Sequence, residues 1–282
     1  MLRAVLRRAG LLAAVAATLA SATAAACPPD ARPKRYYLAL GDSIPYGFQT
    51  WKATAGLPPA DFVGYPRLLV PRLQTLNRNT TLVNFSCPGE STTTYRGPCG
   101  WRASGHALHD DYPGAQRDAA LAFLRQHRGQ VSPITIALNG NDINEYLASC
   151  PPGDLACLQA GAPAATAAYG ARLLALLREL RTAAPDAVII VVGAYNPNVG
   201  AFAFTDPLFR GVNAAQADAA AAVRAWFADP FPVFNPAGDD AAETAAICRL
   251  TLICTAGDGH PSDAGYLALA DIVWQVFQAR SP

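Results

Sequence analysis

Apolar and polar positions alternate along this chain in blocks. A compact aromatic and aliphatic run, Arg35 to Leu40, ends at Gly41 and reads as a buried strand. Thr80 to Phe85 and Pro133 to Leu138 are two further strand candidates, and Ala187 to Gly193 is continuous and rich in β-branched residues. Phe231 to Phe234 is a weaker fifth. Between them lie helical patterns at Phe62–Thr75, Ala115–Gln126, Ala164–Thr182 and Asn213–Phe227. In the third of these, Leu173, Leu174, Leu176, Leu177 and Leu180 make the buried face. Ser262–Gln278 closes the chain, with Ser262 as an N-cap after Pro261. Strands alternating with helices predict an α/β fold: a three-layer sandwich around a central, mostly parallel five-stranded sheet.

Two irregular stretches interrupt the pattern. Tyr46 to Gly64 contains Phe48 and Trp51, and Asn196 to Arg210 contains Phe202, Phe204, Leu208 and Phe209. Each comes after a strand, so each belongs at the sheet's carboxyl edge, where open α/β sheets bind ligands. There their side chains either line a substrate groove or pack on the helices.

The first 26 residues read differently from the rest. Arg3, Arg7 and Arg8 precede the apolar, alanine-rich Ala9–Ala20, and Ser21–Ala26 supplies small residues for cleavage. This three-part pattern is that of a secretory signal peptide. Residues 27–35 make a short leader, and 36–282 a single domain, expected to be monomeric. Cys27 stands at the cleavage point and is a candidate lipid acceptor, although Ala24 occupies the position where that pattern wants a leucine-like residue. Membrane attachment is expected only through such a lipid.

Export changes the meaning of seven cysteines, because exported cysteines pair. Apart from Cys27 they fall into three local groups: Cys87 with Cys99, Cys150 with Cys157, and Cys248 with Cys254. Six cysteines allow about 15 pairings, and sequence-adjacent pairing closes the shortest loops. Charge adds only an exclusion. The chain has 15% charged residues and a net charge of +1, its basic residues are scattered, and no nucleic-acid-binding patch is legible.

Candidate chemistry sits just past the strands. Gly41-Asp42-Ser43 comes after the first, Ser86-Cys87-Pro88-Gly89-Glu90 after the second, and Asn139-Gly140-Asn141-Asp142 after the third. Asp258-Gly259-His260-Pro261 precedes the last helix. Together they supply a hydroxyl, a glycine N–H, a side-chain amide and an imidazole, the set that acyl transfer requires. His106, His109, Asp110 and Asp111 are flanked by Gly105 and Pro113 and read as a solvated loop; no metal or cofactor is implied.

In their order and spacing these four blocks resemble the SGNH (GDSL-type) hydrolase superfamily, particularly its secreted bacterial esterases and lipases. The resemblance extends from about Tyr36 to Phe277 and implies that family's flavodoxin-like fold. Carried over by position, it makes Ser43 the nucleophile and His260 the base, with Ser43 N–H, Gly89 N–H and the Asn141 side chain as the oxyanion hole. Asp142 would orient its own loop. Two positions depart from the family pattern. Asn139 replaces a glycine, a tolerable exchange even at positive φ. Gly257 stands three residues before the histidine where the family often has aspartate, so the ring's orienter is either Asp258 or a backbone carbonyl. The implied activity is hydrolysis of a small-molecule, lipid or glycan ester. The alternatives are an acetyl-sugar deacetylase on the same site and a non-catalytic, lipid-anchored surface binding protein.

Overall fold

A computed structural model describes residues 32–198, 205–237 and 240–279 of the chain. The expected signal peptide at 1–26, the start of the expected leader including Cys27, and the aromatic Phe202 and Phe204 lie outside the described residues. The central sheet holds β1 (Tyr36–Gly41), β2 (Thr81–Asn84), β3 (Val131–Ala137), β4 (Ile189–Val192) and β5 (Trp226–Ala228). All pairs are parallel, in the spatial order β2-β1-β3-β4-β5. The helices before β4 are α1 (Ser43–Tyr46), α2 (Thr50–Thr54), α3 (Tyr65–Leu76), α4 (Gly100–Ala103), α5 (Gln116–Gln126), α6 (Gly140–Ala148) and α7 (Leu155–Ala183). After it come α8 (Asp206–Ala222), α9 (Phe231–Phe234), α10 (Asp240–Leu250), α11 (Ile253–Ala256) and α12 (Asp263–Gln278). A small antiparallel pair, β6 (Thr251–Leu252) with β7 (Asp258–Pro261), precedes α12.

The central strands β1, β3 and β4 are buried almost throughout and mostly apolar because both sheet faces are covered, whereas the edge strand β2 begins at an exposed Thr81. Leu38, Leu40, Ile134, Ile136, Ile189 and Val191 point into a core shared with Leu124 of α5, Leu177 of α7 and Val212 of α8. The intervening Tyr37, Ala39, Val188, Ile190 and Val192 point the other way, onto Leu69 and Leu73 of α3 and Leu269 and Val273 of α12. Each such fully buried aliphatic side chain contributes about 1.5–3 kcal/mol. The result is the three-layer α/β/α sandwich with a five-stranded parallel sheet.

The fifth strand is not where the apolar pattern placed it. Phe231–Phe234 is the short helix α9, and β5 is Trp226–Ala228, inside the segment expected to be helical. Proline explains the first difference: Pro230 and Pro232 lack the N–H a ladder needs, while an initial helical turn does not require it. Backbone conformation explains the second. Helix α8 stops at Ala222 because Arg224 turns left-handed, φ 54°, which frees the next residues to join the sheet. The Arg181 guanidinium binds this corner together, donating to the carbonyls of Val223 (3.0 Å), Arg224 (3.0 Å) and Ala187 (2.7 Å). At their N-terminal ends α7 and α8 begin earlier than their leucine and alanine patterns suggest, α7 at an Asp154 cap that accepts from Cys157 N.

Three disulfides form: Cys87–Cys99, Cys150–Cys157 and Cys248–Cys254, with Cα separations of 5.9, 5.8 and 5.2 Å. The first braces the loop after β2, the second joins the end of α6 to α7, and the third ties α10 to α11 across β6. No helix among the described residues is long and apolar enough to cross a membrane.

Candidate active site

The strand order reverses about β1 and β3, since the chain leaves β1 towards β2 on one side and returns to β3 on the other. A crevice opens beyond the carboxyl ends of two such strands. The turns at those ends fill it: Gly41-Asp42-Ser43 after β1 and Asn139-Gly140-Asn141 after β3.

Gly41 is required by contact. Its φ is +128°, and a Cβ there would lie 1.8 Å from the Ala137 carbonyl oxygen of the neighbouring strand. The chain then turns sharply into α1. Asp42 caps this helix, accepting from Ile44 N at 2.9 Å and from Asn139 N at 3.4 Å. Burial pushes the Asp42 carboxyl up to about 6, against the pull of those two N–H groups. Ser43 is the first helical residue, so its own N–H has no intrahelical partner.

Asp258 and His260 both lie on β7, two residues apart, a spacing that places their side chains on one face of a strand. The Asp258 Oδ1 therefore reaches both His260 N (3.0 Å) and His260 Nδ1 (2.5 Å). Its other oxygen accepts from Thr50 N at 2.8 Å. Burial alone would raise this carboxyl, but the hydrogen bonds from His260 and Thr50 outweigh it and hold it well below the usual carboxylate range. On the ring's far side, His260 Nε2 is 3.0 Å from Ser43 Oγ. Phe48 packs against the imidazole with centroids 4.8 Å apart. Tyr195 Oη donates to the Gly259 carbonyl (2.8 Å), and Gln49 Nε2 to that of Pro261 (3.0 Å), so both neighbours of His260 are anchored.

Asn141, at the start of α6, donates through Nδ2 to the Glu90 carbonyl at 2.7 Å. Gly89, one residue earlier, has φ +87°. Asp142 accepts from Thr92 N (2.8 Å) and Arg172 (3.1 Å), which ties α6 to the loop after β2 and to α7. Asn139 does not occupy a left-handed conformation; its φ is −153°. Its side chain donates to Val192 O at 3.2 Å, a link from α6 to β4 that glycine lacks.

Ser43, Asn141, Asp258 and His260 thus meet in one cavity of about 420 Å³, which Asn139, Asn144, Tyr195, Asn198 and Phe209 also line. Gly89 is linked to it through the Glu90–Asn141 bond rather than by lining it. Of the two irregular stretches, the first supplies Phe48 and Thr50, and the second supplies Phe209. Leu208 packs into the core, and His106 and His109 lie elsewhere, on Trp101 and on the Tyr46 carbonyl. Thr50, Gln49 and Tyr195 carried no sequence signal, because their partners are more than 60 residues away. Chemically, the chain from carboxylate to imidazole to hydroxyl is suited to move a proton off Ser43 and return it.

A family model described as the GDSL-like lipase/acylhydrolase family matches residues 39–268. No curated protein matches. Among solved structures, the fold is similar to a lipase from a goat rumen metagenome (TM-score 0.61, 17% identity, 88% of this chain and 99% of that one). It is also similar to an extracellular lipase from Streptomyces rimosus (TM-score 0.55, 18% identity, 86% and 99%). An acetylxylan esterase from Geobacillus stearothermophilus, solved as a catalytic mutant, is similar at TM-score 0.52 and 17% identity over 86% and 93%.

Proposed function

The chain belongs to the GDSL-like lipase/acylhydrolase family, and on that premise we propose that it is an exported serine esterase working through an acyl-enzyme on Ser43. The observation that carries this reading is the continuous hydrogen-bonded line Asp258–His260–Ser43 at 2.5 and 3.0 Å. In it, Ser43 Oγ attacks the ester carbonyl while His260 Nε2 takes its proton. The tetrahedral oxyanion meets Ser43 N–H and the Asn141 amide, which line the cavity, and the family resemblance implies Gly89 N–H as the third donor. His260 then protonates the departing alcohol, and a water molecule, deprotonated by the same ring, releases the acid. Asp258 keeps the ring's proton on Nδ1 throughout.

The Asn141 amide has two hydrogens, of which one is engaged with the Glu90 carbonyl. The other is the donor assigned to the oxyanion. Asn141→Ala is expected to lower kcat about 10²–10³-fold, or roughly 3 kcal/mol, with KM little changed. Steady-state kinetics on a p-nitrophenyl ester checks this; an equal loss carried by KM would remove Asn141 from the oxyanion hole.

Export is supported by the N-terminal pattern of residues 1–26 and by the three disulfides. A second substrate reading, an acetyl-sugar deacetylase, is favoured by the Asn144 amide and the Asn198 side-chain oxygen in the cavity wall, polar groups that suit sugar hydroxyls; Asn198 Nδ2 itself is engaged with Asn196 and Thr205. Turnover of p-nitrophenyl esters of increasing acyl length separates the two. An esterase or lipase is expected to accept butyryl and longer chains. A sharp maximum at acetyl, with acetate released from an acetylated glycan, favours the deacetylase.

A further inference from the structure

Asn139 stands where the family pattern has glycine, and it lines the catalytic cavity. Its backbone is fully engaged: the N–H donates to Asp42 Oδ2 at 3.4 Å, and the carbonyl accepts from Ile143 N at 3.1 Å. Its Nδ2 donates to Val192 O at 3.2 Å. That bond fixes which way the amide faces, because turning it over would set Oδ1 against the Val192 oxygen. Oδ1 is left without a partner among the described residues. It is not sealed into the core either. The residue keeps 5% of its surface, and that surface opens on the cavity, so Oδ1 is presented to whatever the cavity holds.

Two other polar groups lining the cavity are left in the same condition. Tyr195 gives its one hydroxyl hydrogen to the Gly259 carbonyl, so its Oη can only accept. Asn198 Nδ2 directs its two hydrogens to Asn196 Oδ1 (2.8 Å) and Thr205 Oγ1 (3.4 Å), which leaves the Asn198 Oδ1. Three unmatched acceptors thus line the cavity. A hydrocarbon chain laid there would strip them of water and return nothing, whereas a substrate carrying hydrogen-bond donors would match them. The ester group itself brings only acceptors, so the donor belongs to another part of the substrate. Its place follows from the backbone: Asn139 N–H is bonded to Asp42, the residue before Ser43, and Asn139 is two residues from Asn141. A group reaching Asn139 therefore lies close to the ester carbonyl.

We propose that Asn139 is a specificity-determining residue: its Oδ1, with Tyr195 Oη and Asn198 Oδ1 in the same cavity, accepts a hydrogen bond from a substrate hydroxyl close to the scissile carbonyl, so that esters carrying such a hydroxyl are hydrolysed in preference to plain ones. The inference rests on the esterase reading. The hydroxyl has two possible sources, the alcohol of a polyol or sugar ester and the acid of a hydroxyacyl ester, and the chemistry that recognises it is the same.

The test is kcat/KM of the whole chain, by acid release in a pH-stat, on two matched pairs of esters. Glycerol 1-acetate against propyl acetate places the hydroxyls on the alcohol, and ethyl lactate against ethyl propionate places one on the acid. Each rate is divided by that ester's own hydroxide-catalysed rate, which removes the inductive effect of the hydroxyl. The wild type is expected to favour the hydroxylated ester at least about tenfold in one pair or both, and the pair that shows it identifies the source. Asn139→Gly, which installs the residue of the family pattern, should bring that ratio down towards one. Both members of a pair use the same catalytic groups, so the ratio reports recognition alone. Tyr195→Phe, the second variant, is expected to lower both rates, since the Gly259 carbonyl loses its donor, and to narrow the ratio as well. A wild-type ratio near one in both pairs would overturn the inference while leaving the esterase reading standing. So would a ratio that Asn139→Gly leaves unchanged or, should that variant not fold, one that Tyr195→Phe leaves unchanged. Absence of Ser43-dependent turnover of all these esters would overturn the esterase reading and this inference with it.

Discussion

Ser43→Ala is expected to lower kcat by on the order of 10⁶-fold while leaving KM and the fold nearly unchanged. The size comes from the way the groups depend on one another. On the proposed mechanism no acyl-enzyme forms without the hydroxyl, and His260, 3.0 Å from where Oγ stood, has no proton to move. What remains is catalysis of direct water attack by the oxyanion donors and by binding, about 10³–10⁴ over the uncatalysed reaction. His260→Ala removes the same step from the other side. The double variant is therefore expected to be no slower than either single one, and that non-additivity is the signature of a unit. KM is expected to hold because Oγ bonds to the His260 imidazole in the resting protein. Single-turnover kinetics with a p-nitrophenyl ester, and mass spectrometry after a serine-directed phosphonate, check both halves. A Ser43→Ala protein with wild-type turnover, or phosphonate carried on another residue, would remove Ser43 from the mechanism.

The sequence was legible where chemistry or burial leaves a local mark. Strands β1, β3 and β4 are mostly apolar and buried on both faces, and that run, broken in β3 only by the buried Ser132 and Thr135, is itself the signal. Strand β5 is only Trp226–Ala228, preceded by an alanine-rich helix, and three residues have no period to read. Ser43 and His260 were legible because each sits in a block of distinctive residues just past or before an element. The direction of the imidazole was not, since the i, i+2 geometry of Asp258 and His260 depends on β7 forming against β6. Likewise Thr50 reaches Asp258 across 208 positions and Gln116 reaches Gly41 across 75, so no window of the chain contains both partners.

Asp258→Asn is expected to lower kcat about 10⁴-fold, again at little cost in KM. The reason is visible in what surrounds the carboxylate. Three N–H groups point at it: His260 N and His260 Nδ1 at one oxygen and Thr50 N at the other. All are donors, and asparagine has a single acceptor to offer. If its oxygen faces His260, its NH₂ meets Thr50 N–H, donor against donor in a place where the side chain is 6% exposed. If it flips, the NH₂ faces Nδ1, which must then be the ring's acceptor. The proton moves to Nε2, so His260 donates to Ser43 Oγ and cannot take its proton. Stability adds a second readout with a definite sign. Because the folded carboxyl is held below its ordinary value, Asp258 contributes stability above the ordinary carboxylate range and loses it as the pH falls towards the folded value. Urea unfolding should therefore find the wild type more stable than Asp258→Asn at neutral pH, with the gap narrowing as the solution is acidified. A variant that kept wild-type kcat would make the pair Ser43–His260 sufficient, with the ring aligned by its backbone and by Phe48. The three hydrogen bonds to Asp258 argue for the carboxylate, because a group needed only to fill space would not be met by donors alone.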